Sequence, residues 1–210
     1  MEPSNYKIIK QFINSEEKKL IVDWIETINH KEGISNHHLS HLAKGLKGKS
    51  FIFNQSQTEL TNYITQFQSI SQVSKETIPD FIINIQSRIA KDFNFPLDNI
   101  FFQAVDMPSS SSIGAHYDAS LKGFINYKCN ISVLSEDYTF HVDKDTLLIQ
   151  EGDLYGFEAS LYKHWTDVFK SRRVFLSFGF IIPYELTGRL ETDPRVRLSQ
   201  RIEKYFQSNN

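Results

Sequence analysis

The chain has 210 residues, with 23 Lys and Arg against 25 Asp and Glu, a single cysteine and a formal net charge of -2. That length suits one domain with a full core; the nearly balanced charge supplies no global field toward nucleic acid or anionic lipid; and Cys129 on its own excludes an internal disulfide framework and fits a reducing compartment. The first residues lack the apolar core of a signal peptide, and no apolar run nears the roughly 20 residues that span a bilayer, so a soluble, cytoplasmic protein is expected.

Asn14 and Glu17 have the spacing of a capping box, and Leu20, Ile21, Trp24, Ile25 and Ile28 follow at helical spacing, which predicts an amphipathic helix. Residues 30–50 are polar, contain glycine and are rich in His and Lys; they read as a loop or lid. Leu60, Tyr63, Ile64 and Phe67 predict a second helix. Pro79 ahead of Ile82, Ile85, Ile89 and Phe93 predicts a third. From Asn99 the period changes to two, with strands expected at 99–106, 113–118, 129–134, 138–142, 146–150, 153–158, 163–169 and 173–182. Asp193, Pro194 and then Leu198, Ile202, Tyr205 and Phe206 predict a closing helix. The expected fold class is mainly β with flanking helices (α+β), in one domain: helical support and lid over 1–98, a jelly-roll core over 99–182, and a C-terminal helix over 183–210.

Chemistry concentrates in His116-Tyr117-Asp118, followed by His164. Two histidines and one carboxylate form the facial triad that holds Fe(II) and leaves other positions open. Residues two apart in an extended segment point the same way, so His116 and Asp118 can share one face. A second His-x-Asp, His141-Val142-Asp143, shows how weak the spacing is alone. Between Asp118 and His164 there is room for four strands with turns, the path a jelly roll needs from first to last ligand strand. From Asp143 there is room for two. Asp143-Lys144-Asp145 also reads as a turn, which leaves His141 and Asp143 as solvated strand-end residues. His37, His38 and His41 have no carboxylate at useful spacing and read as lid residues.

The segment from Arg173 to Phe180 divides by parity. Val174, Leu176, Phe178 and Phe180 form an apolar face fit to pack on helices, and Arg173, Phe175, Ser177 and Gly179 form the inward face. A guanidinium buried there is costly unless it meets an anion, which a bound carboxylate would supply; the competing partner is a protein carboxylate such as Asp167 or Glu158. Arg172 falls with the apolar face at the strand start and is expected to snorkel into solvent.

Taken together, His116, Asp118, His164, Arg173 and Ser177 resemble the pattern of the Fe(II)/2-oxoglutarate-dependent dioxygenase superfamily, and the run from Leu147 through Gly152-Asp153 to Glu158 is similar to that family's turn into the distal-histidine strand. The resemblance covers about residues 80–182. The nine-position step from His164 to Arg173 resembles prolyl-hydroxylase-type enzymes; Arg173 to Phe178 is also similar to AlkB-type demethylases, although Gly179 stands where those carry another arginine, and Gln103-Ala104-Val105-Asp106-Met107 lacks their Asn-x-Tyr. The resemblance implies a double-stranded β-helix with a cupin-like barrel and N-terminal helices packed on one sheet. It further implies Fe(II) on His116, Asp118 and His164, 2-oxoglutarate and dioxygen as co-substrates, and Arg173 with Ser177 on the distal carboxylate. Asn130 and Gln103, polar positions in apolar strands, are further candidates to face the cofactor. The expected reaction is hydroxylation of a small-molecule or amino-acid-type substrate, with release of succinate and carbon dioxide. The alternatives are a nucleic-acid demethylase or protein hydroxylase, with Lys44, Lys47 and Lys49 meeting phosphates, and a non-catalytic cupin-like binding barrel. Specificity is expected from residues 30–53, including His37, His38, Lys44, Lys47 and Phe53, and from the Ser109 to Ser112 loop.

Overall fold

The period-two segment builds two antiparallel sheets that face each other. The computed structural model describes residues 6–32, 49–54, 78–97, 100–118 and 123–187. In chain order these form β1 (Tyr6–Ile9), α1 (Ser15–Glu32), β2 (Lys49–Asn54), α2 (Asp80–Phe93), β3 (Ile100–Met107), β4 (Phe124–Leu134), β5 (Tyr138–Val142), β6 (Asp145–Ile149), β7 (Leu154–Glu158), β8 (His164–Thr166), β9 (Arg173–Pro183) and a 3-10 turn, Tyr184–Thr187. The larger sheet runs β1-β7-β4-β9-β3-β2 and the smaller β6-β5-β8.

Strand parity decides what each face of the larger sheet meets. Leu176, Phe178 and Phe180 of β9 turn to the helices and join Ile21 and Ile25 of α1 and Ile82, Ile85 and Ile89 of α2 in one fully buried cluster. The opposite face contributes Val105, Tyr155, Phe157 and Phe175 to a second cluster against Phe140 and Val142 of the smaller sheet. Two such sheets, with helices backing one of them, make the double-stranded β-helix. Cys129 is fully buried in the helix-side layer, and burial pushes its thiol well above its ordinary value.

Local chemistry fixes the helices. Asn14 and Glu17 exchange hydrogen bonds, the Asn14 amide donating to Glu17 Oε2 at 3.0 Å and the Glu17 amide to Asn14 Oδ1 at 2.9 Å, which closes the capping box that starts α1. Pro79 stands at the N-cap of α2, and Asn94 ends that helix in the left-handed region with φ 56°.

Three expectations are corrected. β1 and β2 lie within the first 98 residues, where only helices and a lid were expected. β1 is four residues long, too short to display a period, and is held by pairing Tyr6 to Ile9 with Phe157 to Leu154. β2 pairs along β3, so Phe53, expected in the lid, belongs to an edge strand. Arg172 does not snorkel free: its Nε and Nη2 each lie 2.9 Å from an Asp106 carboxylate oxygen, and Nη2 also donates to Glu26 at 2.6 Å, tying α1 to β3. The helix expected around 60–67, residues 37–47 and the closing helix from Asp193 lie outside the described residues.

Gly179 is required by packing. A Cβ there would fall 2.0 Å from the ring of Phe101, which is itself buried. Gly179→Ala is expected to cost about 1–3 kcal/mol of stability, the usual range for overpacking a core, measured by chemical denaturation.

Candidate metal centre and anion pocket

The segment carrying the first two candidate ligands runs antiparallel to β8 as an irregular fourth strand of the smaller sheet. Thr166 donates its amide to Ile113 O at 3.1 Å, and His116 and His164 exchange backbone hydrogen bonds at 3.1 and 2.9 Å. Gly114 and Ala115 therefore stand opposite Trp165 alone, a bulge that interrupts the strand expected over 113–118. The bulged Gly114 carbonyl accepts a hydrogen bond from His116 Nδ1 at 2.7 Å, and the Tyr162 carbonyl does the same for His164 Nδ1 at 3.1 Å. A carbonyl can only accept, so both Nδ1 atoms carry hydrogen and both Nε2 atoms are left as donors to a metal.

Those two nitrogens converge on one carboxylate oxygen. Asp118 Oδ1 lies 3.3 Å from His116 Nε2 and 3.8 Å from His164 Nε2, and all three ligand atoms fall within 4.8 Å of one another. With bonds of about 2.1 Å, donors at right angles on a metal stand about 3 Å apart, so the set fits a facial arrangement with little movement. Tyr117, between the ligands, points away and is exposed. Burial depresses the His164 imidazole from 6.5 to about 3, against the opposing pull of Asp118, and keeps it in the neutral form that binds metal. Burial alone would raise the Asp118 carboxyl, but the Lys128 ammonium, the largest opposing influence, holds it well below the usual range.

The competing His141 lies on β5 directly beside β8, yet on the wrong face. Val142, paired with His164, is the fully buried inward residue, whereas His141 stacks on Trp165 at 4.7 Å and contacts Asp167 at 3.2 Å. It is half-buried by those contacts rather than simply solvated. Asp143 turns the chain with φ 55°.

The pocket that contains the triad is walled by Val105, Ile113, Phe140, Phe157 and Phe175. Its polar floor is one row across four strands. Gln103 of β3 is opposite Ser177 of β9, Ser177 opposite Asn130 of β4, and Asn130 opposite Tyr155 of β7. Ser177 Oγ and Asn130 Oδ1 are buried without a hydrogen-bond partner among the described residues.

Behind Tyr155 lies Arg173, only 1% exposed. Its Nη2 donates to Tyr138 Oη at 2.7 Å and Tyr155 Oη at 2.8 Å, and its plane lies over the rings of Tyr138, Phe169 and Phe175 at 4.1 to 4.6 Å. Nε and Nη1 have no acceptor among the described residues. Neither carboxylate that could have neutralised it does so, and Asp167 is engaged by His141. Burial also holds the Tyr138 phenol well above its ordinary value, so that partner is neutral too. A buried guanidinium with two unsatisfied donors and no carboxylate in contact among the described residues is an arrangement that could receive an anion.

Sequence reasoning missed Tyr138, Tyr155 and Lys128. The tyrosines sit in apolar strands and look like core aromatics. Lys128 shares the parity of Asn130 on β4, but a strand lysine reads as a solvated residue; its Nζ lies 2.8 Å from Asp118 Oδ2, an ion pair without hydrogen-bond geometry. Conversely, Gly152-Asp153, which suggested a family turn, has a structural task. The buried Asp153 accepts from the Gln11 and Gln150 amides at 3.2 and 2.9 Å and from Lys10 at 2.7 Å, fastening β1 to the β6–β7 turn.

No family model matches the sequence, and no curated protein does. Solved structures share the fold. A viral collagen prolyl hydroxylase from Paramecium Bursaria Chlorella virus-1, in complex with 2-oxoglutarate, is 11% identical, with 86% of this chain and 98% of that one covered and a TM-score of 0.57. A Pseudomonas putida prolyl-4-hydroxylase is 9% identical over 84% and 91%, TM-score 0.55. A Trichoplax adhaerens prolyl hydroxylase, in complex with a hypoxia inducible factor peptide fragment, is 10% identical over 89% and 88%, TM-score 0.55. Among the described residues no helix is long and apolar enough to cross a membrane.

Proposed function

We propose that residues 1–210 form one Fe(II)- and 2-oxoglutarate-dependent oxygenase domain that hydroxylates a C–H bond of its substrate. The observation that carries this reading is the pairing, inside one barrel, of a convergent His/Asp/His set with a buried arginine that lacks an anion. A plain metal-binding barrel has no use for such an arginine; a co-substrate with a distal carboxylate does. His116 Nε2, Asp118 Oδ1 and His164 Nε2 would hold the metal. Arg173, with the Tyr138 and Tyr155 hydroxyls, would hold the distal carboxylate, and Ser177, Asn130 and Gln103 would line the path between them.

When bound, iron and 2-oxoglutarate supply dioxygen activation coupled to oxidative decarboxylation, which yields succinate and carbon dioxide and inserts oxygen into the substrate bond. The chain's own task is orientation and exclusion of water. Backbone carbonyls fix both imidazoles, Val105, Ile113, Phe140, Phe157 and Phe175 give the pocket apolar walls, and the β9 register fixes the spacing between Arg173 and Ser177.

A small-molecule or amino-acid-type substrate suits a pocket of this kind. Hydroxylation of a prolyl residue in a peptide is the second reading, favoured by two of the fold-sharing enzymes, a collagen prolyl hydroxylase and a prolyl hydroxylase in complex with a hypoxia inducible factor peptide fragment. The test is anaerobic addition of Fe(II) and then 2-oxoglutarate to the purified protein. The expected outcome is the weak visible charge-transfer band of the chelate, followed by succinate once oxygen is admitted. A protein that binds neither metal nor 2-oxoglutarate would leave the cupin-like binding barrel as the better description.

A further inference from the structure

Lys128 is one charge more than the proposed reaction uses. Its side chain is 14% exposed, its Nζ meets Asp118 Oδ2 at 2.8 Å and lies 5.6 Å from the Phe101 ring, and it lines the same pocket as the triad. On the sheet it occupies the row next to the polar floor, on the side away from Arg173. It is paired in register with Gly179 on one side and Phe157 on the other. Gly179 has no side chain and Phe157 is apolar, so neither neighbour in the row supplies a counter-charge.

The ionic balance of the pocket follows from the described residues. Asp118 and Lys128 line the triad pocket with one negative and one positive charge, and Arg173, outside that lining and buried behind Tyr155, carries the one positive charge that the distal carboxylate of 2-oxoglutarate would meet. A divalent metal adds two positive charges and a 2-oxoglutarate dianion removes two. The loaded pocket therefore still holds one uncompensated positive charge among apolar walls, where an unpaired charge is expensive. Asp118 cannot satisfy both neighbours fully, because a metal on Oδ1 draws the same carboxylate charge that faces Lys128 through Oδ2.

From this balance, and resting on the proposed oxygenase reading, we infer that the primary substrate carries a carboxylate that Lys128 receives beside the metal. Lys128 is then a specificity-determining residue: it selects acids over their amides or esters and places the group to be oxidised at a fixed reach from its carboxylate.

The experiment uses propionate and propionamide as probes, which match in shape and differ in charge. Protein loaded with Co(II) and saturating 2-oxoglutarate is titrated with each, and paramagnetic broadening of the probe methyl resonance reports binding next to the metal. Propionate is expected to bind about tenfold or more tightly than propionamide. Lys128→Met is expected to abolish that preference and Lys128→Arg to retain most of it, with the 2-oxoglutarate complex intact in both. Equal binding of the two probes by the parent overturns the inference, and so does an undiminished preference in Lys128→Met. Displacement of 2-oxoglutarate by propionate, or loss of 2-oxoglutarate binding in Lys128→Met, would place Lys128 in the co-substrate site instead and overturn it as well. Failure of the parent to bind metal and 2-oxoglutarate at all is a separate result that counts against the oxygenase reading itself.

Discussion

Asp118→Ala is expected to reduce succinate formation to background and to remove the visible chelate band, while the folded state persists. The reason is the geometry of a single oxygen. Oδ1 is the atom on which both Nε2 donors converge, at 3.3 and 3.8 Å, so its loss leaves two imidazoles and no negative charge to hold a dication. It also leaves Lys128 as an unpaired ammonium in the same pocket, which repels a metal directly. Asp118→Ala is therefore expected to lose metal more completely than His116→Ala. Metal binding is read by calorimetry and the band by anaerobic difference spectroscopy. Retention of metal and band by Asp118→Ala would mean that the ion sits elsewhere. Lys128→Met in the Asp118→Ala background separates the two effects: partial recovery of metal affinity is expected, because the repulsion is gone.

Arg173→Met is expected to raise the dissociation constant for 2-oxoglutarate by about 30-fold or more, since truncating one partner of a buried, hydrogen-bonded charge pair costs roughly 2–5 kcal/mol. The same substitution is expected to leave the ligand-free protein as stable as the parent, or more stable. In the free state the guanidinium has two unsatisfied donors and no counter-ion, and replacing such a buried charge with an apolar side chain of similar volume is often neutral or stabilising. Tyr138 and Tyr155 keep each other, with Oη atoms 3.2 Å apart. Opposite signs on affinity and stability are what distinguish a ligand anchor from a structural arginine. A drop in thermal midpoint with unchanged 2-oxoglutarate affinity would assign Arg173 to the core. The neighbouring Arg172 is the control: Arg172→Met breaks its contacts with Asp106 and Glu26, and is expected to lower stability without changing affinity.

Much of this was legible in the residues. The capping box of α1, the apolar stripe of α2 and the alternation of β9 each depend on local stereochemistry, and each element stands where its pattern put it. Four strands, β4 to β7, do separate Asp118 from His164, as the chain length between them required. What escaped was non-local. β1 has too few residues to show a period and exists because β7 offers it an edge. The bulge at Gly114 and Ala115 is visible only once β8 lies alongside.

By itself the sequence determined the period of each segment, and therefore which residues share a face: His116 with Asp118, Arg173 with Ser177. Periodicity says nothing about which faces come together. Only the tertiary structure could decide that His141 faces outward onto Trp165 while its neighbour Val142 points in, that Arg173 meets two tyrosine hydroxyls and no carboxylate, and that Lys128 stands at Oδ2 of Asp118, the oxygen the imidazoles do not approach. The physical reason is that a charge is defined by its partners, and in a barrel those partners arrive from strands distant in the chain.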